Sequence, residues 1–297
     1  MFRFLNPPLL TAAVKTAFLK LTVLKNAFLK PTVHKPTIHK PMLLLRLNQL
    51  FLLSLVLPAL SLAQTVPACT STSTAQVTPL LELFTSEGCD SCPPADRWLS
   101  TLRTGDNLNI MAWHVDYWDK LGWKDRFALP EAAQRQARLL RALGSRNAYT
   151  PQTMVQGVSI YHQPAANVER KLATLSPQPS PIRLQISQVQ HMKGVLKVDL
   201  NTLAMASGAY QTYVALTENK LTSTVTAGEN KGVTLKHDHV VRTWAGFGNG
   251  IAKDKSVSYS QTLSIPKDAV PSQLSLVVWA EDERGLPVQS LASRCGL

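Results

Sequence analysis

Acidic residues are scarce in this 297-residue sequence, which has 19 Asp and Glu against 31 Lys and Arg. The first 63 residues contain no acid but hold eight of the basic residues, so the rest of the chain has a net charge of +4 instead of the +12 of the whole. Beyond residue 63 the sequence also lacks any basic run with interleaved aromatic residues, which is the pattern of nucleic-acid-binding surfaces. Together these absences exclude nucleic acid as the partner.

The first 41 residues lack the period of any regular structure. Lysines recur every five residues from Lys15 to Lys40, inside near-copies such as "KTAFL" and "KNAFL". A period of five fits neither a helix nor a strand, and no solenoid repeat is this short. We therefore predict that residues 1–41 are non-native upstream sequence, translated from a start codon placed too early.

The apolar run that starts at Leu50 is too short and too poorly flanked for a membrane span. It has instead the parts of a secretory signal beginning at Met42, with basic Arg46 before the run and small residues before a cut after Ala63. We predict a signal peptide over residues 42–63. The mature protein is then periplasmic or secreted and has no membrane span.

Cysteine is also rare, with four residues, all of them beyond residue 63. An even number of cysteines in an exported chain favours disulfides over free thiols. Cys89 and Cys92 are close partners in a C-x-x-C motif. Cys69 and Cys295 lie near the two ends of the mature chain, which are often neighbours in a folded protein, and they are candidates for a second, structural bridge.

Helix and strand patterns divide the mature chain into two parts. After a polar lead-in over residues 64–77, residues 78–175 show the order β-α-β-α-β-β-α, which predicts an α/β thioredoxin-like domain. The prolines of residues 176–181 indicate an extended linker. Residues 182–297 then alternate apolar and polar residues in short runs separated by turn residues, which predicts an all-β, sandwich-like domain.

The C-x-x-C motif in "SEGCDSCPPAD" follows a predicted strand and opens a predicted helix. No second C-x-x-C or H-x₃₋₅-H motif stands where it would complete a tetrahedral zinc site, so we predict no metal and no cofactor. The dipole at the start of a helix stabilises a thiolate, which favours redox chemistry. Cys89 is then the exposed attacking thiol and Cys92 the resolving thiol, although a permanently oxidised structural clip also fits the motif.

Two further features belong to the predicted site. The string "YTP", about sixty residues after the cysteines, precedes another predicted strand. In thioredoxin-like folds a cis proline at this place faces the cysteines and keeps the substrate backbone within reach, so Thr150 and Pro151 join the site. Glu82, on the strand before the motif, is a candidate buried acid that transfers a proton to Cys92. A carboxylate that is solvated or bonded to backbone is the alternative.

Several histidines and acids are auxiliary candidates. His114 and Asp116 fall on one face of the second predicted strand, where they either modulate the cysteines or hydrogen-bond the next loop. His237 and His239 fall on one face of a later strand, and such a pair either binds a metal ion or makes ordinary hydrogen bonds. The aromatic residues of the loop after the second strand either pack over the site or form one wall of a substrate groove.

Several strings together resemble a known family. The strings "ELFTSEGCDSCPPAD", "HVDYWDKLGWKDRFA" and "YTPQTMVQG", with "GENKG" and "HDHVVRTW" further along, are similar to the exported bacterial family labelled domain of unknown function 1223. The resemblance covers nearly all of the mature chain. It implies a thioredoxin-like domain in an envelope or secreted protein, with Glu229 and Arg242 in a polar network between domains. It supplies no substrate.

These features predict a thiol–disulfide oxidoreductase of the cell envelope that acts through Cys89 and Cys92 on protein or small-molecule thiols and disulfides. Two alternatives stay open: a copper- or other metal-handling protein that uses the same cysteines, and a non-catalytic binding module on the same scaffold. Methionine is scarce beyond residue 63, with four residues and no cluster among them, which disfavours a Cu(I) protein.

Overall fold

The computed structural model describes residues 69–161, 164–175, 178–248, 251 and 254–293. Of these residues, 44% lie in strands and 17% in helices. The predicted upstream sequence over residues 1–41 and the predicted signal peptide over residues 42–63 lie outside the described residues, so both stay predictions.

Strands outnumber helices throughout. The helices are α1 (Pro93–Leu99), α2 (Pro130–Ala142) and α3 (Pro164–Leu175), and 3₁₀ turns lie at Asp119–Leu121 and Pro271–Gln273. The strands are β1 (Ser71–Thr72), β2 (Leu80–Thr85), β3 (Asn109–His114), β4 (Gln152–Val155), β5 (Val158–Ile160), β6 (Ile182–Met192), β7 (Val195–Ala204), β8 (Gln211–Glu218), β9 (Leu221–Thr224), β10 (Thr234–His237), β11 (Val240–Gly248), β12 (Ser256–Ser264), β13 (Leu274–Glu281) and β14 (Pro287–Ser293). Within the described ranges, no helix combines the length and the apolar character that a membrane crossing requires.

Local sequence explains where these elements begin and how they are buried. Pro93 and Pro130 begin α1 and α2, because the first residues of a helix have no use for a backbone N–H donor. Gly144 follows α2 with a φ of +70°, a conformation that glycine adopts without strain. β6 and β7 alternate buried and more exposed residues over much of their length, as expected for strands with one covered face, whereas every residue of β2 and β3 is buried.

Most strands belong to two sheets. The larger has the order β14-β13-β8-β11-β3-β2-β4-β5 and the smaller has the order β1-β6-β7-β12, while β9 and β10 form a hairpin. In the larger sheet β2 and β3 are parallel, and β3 meets β11 in parallel at the pair Ala112 and Val240. β14 also contacts the start of β2, where the hydroxyl of Ser290 donates to the carbonyl of Thr78 at 2.7 Å.

The prediction of an α/β thioredoxin-like domain followed by an all-β, sandwich-like domain is wrong. The described residues are mostly strand, and β2 to β5 lie in the same sheet as β8, β11, β13 and β14 from beyond residue 182. The reason is pairing between distant segments, since β11 takes the free edge of β3, and hydrophobic periodicity in a short window contains no information on such pairing. The predicted residue boundaries, including the linker over 176–181, stay predictions, and residues 176 and 177 lie outside the described ones.

Apolar side chains cover both faces of the larger sheet. On one face α2 packs over side chains from both predicted parts of the chain, including Phe84, Trp113 and Trp279. On the other face α1 and α3 pack around Leu83 and Ala112 at the β2–β3 end. The smaller sheet covers the β8–β13 end of that same face. The two predicted parts therefore share a hydrophobic interior under α2.

Candidate functional site

The two central cysteines form a disulfide, as predicted. The Cα atoms of Cys89 and Cys92 are 5.5 Å apart, and the bond closes the turn between β2 and α1. Both cysteines are 0% exposed, whereas Asp90 and Ser91 between them are exposed. Cys89 is therefore not the exposed thiol that the sequence predicts, because the backbone of this disulfide turn reaches the surface while the sulfur atoms do not.

A segment from a distant part of the chain lies over the disulfide turn. We call residues 225–233, between β9 and β10, the cover loop. The side-chain amide of Asn230 in this loop donates hydrogen bonds of 2.9 Å to the carbonyls of Glu87 and Cys89. Asn230 is itself buried, so these bonds are shielded from water. The cover loop thus holds the disulfide turn in place.

Of the two residues implied in a polar network, Glu229 contacts the disulfide turn and Arg242 lies over the ring of Phe127, which packs against His114 and His237. The backbone N–H of Asp90 donates to Glu229 Oε2 at 3.3 Å, which adds a second link between the cover loop and the disulfide turn. The Arg242 guanidinium pairs instead with Glu218 and Asp268. The two predicted network residues therefore do not contact each other's partners: Glu229 binds the disulfide turn, and Arg242 binds Glu218 and Asp268.

The Thr150–Pro151 peptide bond is cis, as predicted. The antiparallel pairing of β4 with β2 puts Pro151 at the end of β2 that leads into the disulfide turn. Trp118 connects the two segments: its Nε1 donates to Thr150 Oγ1 at 2.8 Å, and its Cβ would lie 3.0 Å from a Cβ added at Gly88. Glycine at residue 88 permits this close approach, so Trp118 packs directly on the disulfide turn.

Five titratable side chains lie together next to the disulfide turn, and we call them the acid–histidine cluster: Glu87, Asp96, His114, Asp125 and His237. His114 Nδ1 lies 2.7 Å from Asp125 Oδ2, and His237 Nε2 lies 3.2 Å from Glu87 Oε1. His237 Nδ1 lies 3.9 Å from Asp96 Oδ2. The two imidazole rings meet edge to face with their centroids 4.8 Å apart. All five residues are buried.

Each member of the cluster comes from a different element. Glu87 lies in the disulfide turn, Asp96 in the first turn of α1, His114 at the end of β3 and His237 at the end of β10, while Asp125 follows the 3₁₀ turn. The parallel strands β2 and β3 end at the same edge of the sheet, which brings the disulfide turn close to His114. Asp125 Oδ2 also accepts a 2.9 Å hydrogen bond from the backbone N–H of Glu87.

The surroundings raise the pKa of one carboxyl group of the cluster, Asp96, and lower the pKa of the other two. Burial raises the pKa of Asp96, and the nearby histidines reduce this rise without cancelling it. Burial alone would lower the pKa of His114, but the charge and hydrogen bond of Asp125 raise it. Burial would raise the pKa of Asp125 and of Glu87, yet the histidine beside each lowers it. Asp96 is thus the carboxyl of the cluster that keeps its proton to the highest pH.

Two ring nitrogens of the cluster, His114 Nε2 and His237 Nδ1, have no hydrogen-bond partner among the described residues. The other nitrogen of each ring is held by a carboxylate, as given above. A cavity of about 130 Å³ between α1 and β10 is lined in part by Asp96 and His237. The cluster therefore borders a cavity on the α1 side.

Glu82 lies on the opposite face of β2 from α1. Its Oε1 accepts a 2.8 Å hydrogen bond from Trp113 Nε1, and its Oε2 accepts one of 2.9 Å from Arg135. Arg135 also donates to Glu281 of β13 at 2.7 Å. These contacts occupy both oxygens of Glu82 under α2, so its position gives no support to proton transfer with Cys92.

The auxiliary candidates do not form the same-face pairs that the sequence predicts. His114 ends β3 and Asp116 lies half-buried in the turn beyond it, so they do not share a strand face. β10 ends at His237, and His239 has a φ of +59° before β11, so these two do not share a strand face either. His239 borders another cavity, of about 290 Å³. Across the described ranges, no three His, Cys, Asp or Glu side chains are placed to hold a metal ion.

Of the second predicted bridge, the structure describes Cys69 alone. Cys69 Sγ lies 3.1 Å from the hydroxyl oxygen of Ser293, at the end of β14. Its predicted partner Cys295 is outside the described residues. The Cys69–Cys295 bridge therefore stays a prediction.

Sequence reasoning missed most of the side chains around the disulfide. Asp96 had a usable signal, because it comes four residues after Cys92 and residues at this spacing share one face of a helix. Glu87 and Asp125 had none, because their role depends on the folded positions of two histidines. Asn230 lies inside the quoted string "GENKG", but nothing local in that string indicates that it reaches Cys89.

Comparison with known proteins bears on the family and the fold. Residues 80–281 match a family described as protein of unknown function, DUF1223. The crystal structure of a protein from Agrobacterium tumefaciens is similar, with a TM-score of 0.56 and 24% identity, over 74% of this chain and 96% of that one. At this identity the likeness concerns the fold alone. A DNA-bound alkylpurine DNA glycosylase from Pseudomonas fluorescens aligns with a TM-score of 0.21 and 9% identity, over 41% of this chain and 32% of that one, and this carries no argument. No curated protein matches the chain.

Proposed function

Since the chain belongs to DUF1223, a family of proteins of unknown function, we propose from the site itself that this protein is a thiol–disulfide oxidoreductase. The observation that carries the proposal is the Cys89–Cys92 disulfide beside a buried acid–histidine cluster. A bridge that only fastens a loop needs no titratable neighbours, and burying such groups is unfavourable. Titratable groups with perturbed pKa values cluster at functional sites, which supports a reactive disulfide.

The proposed reaction is exchange with a protein or small-molecule thiol. An incoming thiolate attacks Cys89 Sγ and forms a new S–S bond, while the bond to Cys92 breaks and leaves its electron pair on Cys92 Sγ. A second substrate thiolate then attacks the incoming sulfur, so the substrate leaves as a disulfide and Cys89 as a thiolate. The protein gains two electrons, and the reverse sequence oxidises the cysteines. Ser91 Oγ, 3.4 Å from Cys89 Sγ, is placed to donate to the Cys89 thiolate.

This reaction requires the disulfide turn to become accessible. Cys89 is fully buried in the oxidised form, and the cover loop is bonded to the carbonyl of Cys89 through Asn230. Because Asp90 and Ser91 already reach the surface, displacement of the cover loop is the smallest movement that admits a substrate thiol. We place the reaction in the periplasm or outside the cell, on the strength of the predicted signal peptide over residues 42–63.

The test is the reduction potential of the Cys89–Cys92 pair. The purified protein is equilibrated with glutathione or dithiothreitol buffers and its free thiols are trapped, with the Cys89→Ser, Cys92→Ser double variant as the blank. We expect a value between about −270 and −120 mV, the range of working redox proteins. A value well below about −300 mV is that of a structural bridge and would overturn the proposal.

The full burial of both cysteines favours a second candidate, a binding module whose disulfide is a permanent clip. In that case the double variant loses about 2 kcal/mol of stability, because the disulfide closes a very short loop, and no exchange activity exists to lose. The same potential measurement therefore decides between the two candidates.

A further inference from the structure

Resting on the proposed exchange reaction, we propose that Asp96 gives a proton to Cys92 when the disulfide opens and takes it back when the disulfide forms. His237 and His114 are positioning residues, which hold the Asp96 carboxyl and stabilise the charge that it acquires. Asp96 takes the place predicted for Glu82, because Glu82 faces α2 and Arg135 on the far side of β2, whereas Asp96 contacts Thr85 on the α1 side.

Asp96 reaches toward Cys92 along α1. The two residues are one helical turn apart, and the backbone N–H of Asp96 donates to the carbonyl of Cys92 at 3.2 Å. Side chains on a helix lean toward its N-terminus, so the Asp96 carboxyl lies over the turn that contains Cys92. The hydroxyl of Thr85, at the end of β2, donates to Asp96 Oδ2 at 3.1 Å. The carboxyl is thereby fixed between the strand and the helix.

One ring nitrogen of each histidine is bound by a carboxylate. Glu87 binds His237 Nε2, while His237 Nδ1 lies 3.9 Å from Asp96 Oδ2 and has no hydrogen-bond partner in the described part of the chain. Asp125 binds His114 Nδ1, and within the described part of the chain His114 Nε2 has no partner. His237 Nδ1 faces the Asp96 carboxyl, and the His114 ring lies 4.8 Å from the His237 ring, so both imidazoles are placed to stabilise the charge of Asp96.

The charges around Asp96 suit a proton donor. The titratable groups facing it are His237 from β10, His114 from β3, Asp125 from the loop before α2 and Glu87 from the disulfide turn. Burial raises the pKa of Asp96, more than the two histidines lower it. A carboxyl with a raised pKa keeps its proton to a higher pH than an ordinary carboxyl does, which suits it to protonate a thiolate leaving group.

A route for protons leads from this pair to the solvent. The cavity of about 130 Å³ between α1 and β10 is lined by Asp96 and His237, together with Arg97 and Lys236. Arg97 and Lys236 are exposed, so the cavity extends from the buried pair to the surface. Water in this cavity restores the proton of Asp96 after each cycle.

The step balances in atoms and electrons. A substrate thiolate bonds to Cys89 Sγ, and the electron pair of the Cys89–Cys92 bond passes to Cys92 Sγ. The O–H bond of the Asp96 carboxyl breaks, its proton bonds to Cys92 Sγ, and Asp96 becomes a carboxylate beside His237 and His114. The substrate thiol is the reductant, and the step needs no further co-reactant.

The experiment is the rate of disulfide reduction by dithiothreitol from about pH 5 to 9, corrected for the thiolate fraction of the reagent. We expect the corrected rate of the unmodified protein to be highest where Asp96 is protonated. Asp96→Asn should lose this dependence and be about tenfold slower or more at low pH, because general acid catalysis contributes at least that much. His237→Gln should move the inflection to higher pH, because His237 lowers the pKa of Asp96.

Two controls isolate the role of Asp96. Asp106→Asn removes an exposed carboxylate outside the cluster and should leave the profile unchanged. Asp96→Glu keeps a carboxyl and should restore part of the pH dependence. If Asp96→Asn does not fold, as judged by circular dichroism, the inflection of His237→Gln decides the question, and an unmoved inflection overturns the proposal.

The failures of the two proposals are distinguishable. Parallel profiles for the unmodified protein and Asp96→Asn, together with a potential between about −270 and −120 mV, overturn the role of Asp96 and leave the exchange reaction standing. A potential well below about −300 mV overturns the exchange reaction, and the role of Asp96 falls with it.

Discussion

At the scale of single residues, burial of the Asp96 carboxyl destabilises the folded protein more as the pH rises. Its pKa is raised by burial, so the folded protein binds this proton more tightly than the unfolded chain does. The resulting stability is complete below the unfolded pKa of about 4 and is lost as the pH rises through the folded value. Because the Asn side chain cannot ionise, we predict that the Tm of Asp96→Asn rises relative to the Tm of the unmodified protein as the pH increases from about 4 to about 8. The gain should be about 2–4 °C for each kcal/mol recovered.

Thermal unfolding followed by circular dichroism at the two pH values measures this gain, with the disulfide kept oxidised in both proteins. Asp106→Asn serves as the control, since an exposed carboxylate has little to lose on ionisation. A Tm difference between Asp96→Asn and the unmodified protein that is equal at both pH values would show that no raised pKa is involved.

At the scale of elements, the cover loop controls access to the disulfide. Asn230→Ala removes two hydrogen bonds to the disulfide turn, each worth about 0.5–1.5 kcal/mol. The population in which the loop has moved away should rise accordingly. We predict that dithiothreitol reduces the Cys89–Cys92 disulfide about tenfold faster in this variant than in the unmodified protein. A loss of about 1.4 kcal/mol from the closed state corresponds to this factor of ten. The rate is measured by stopping the reaction at successive times, alkylating the free thiols and determining the fraction of reduced protein.

Lys231→Ala is the matched control for the cover loop. Lys231 is the next residue along, and its side chain is exposed, so its removal should leave the rate unchanged. Equal rates in Asn230→Ala and Lys231→Ala would mean that the loop does not limit access, and that the disulfide turn opens by another movement.

At the scale of the whole molecule, a buried ion-pair network joins the two parts of the chain. Arg135 of α2 binds Glu82 of β2 and Glu281 of β13, and all three side chains are almost completely buried. We predict that Arg135→Met lowers the free energy of unfolding by about 3–5 kcal/mol, because two carboxylates then lose their partner in the interior. Urea unfolding followed by tryptophan fluorescence measures this, and Trp113 and Trp279 lie in the same core.

Arg138→Met is the control within the same helix. Arg138 contacts Glu281 alone among the acids of the network, and its side chain is 33% exposed, so we expect a loss of about 1 kcal/mol or less. Because the core under α2 contains side chains from both parts, each variant should unfold in a single transition. Two separate transitions would contradict the shared core.

Local features of the site could be predicted because each depends on neighbours in the chain. Cys89 and Cys92 are three residues apart, so their pairing needs only a tight turn. Pro93 and Pro94 determine the start of α1 through backbone geometry alone. The family was also identifiable, since its strings are contiguous in the sequence. By contrast, alternation along β2 cannot say which face receives the helix that follows, so the sequence does not reveal that Glu82 faces α2 and binds Arg135.

The sequence by itself determined the disulfide pair and the family, both of which depend on short stretches of chain. Only the tertiary structure decided that β11 joins β3 in one sheet, that Asn230 covers Cys89, and that Asp96 meets two histidines from other strands. The physical reason is the same in each case. These contacts join residues far apart in the chain, and they form only when the whole sheet closes around its shared cores.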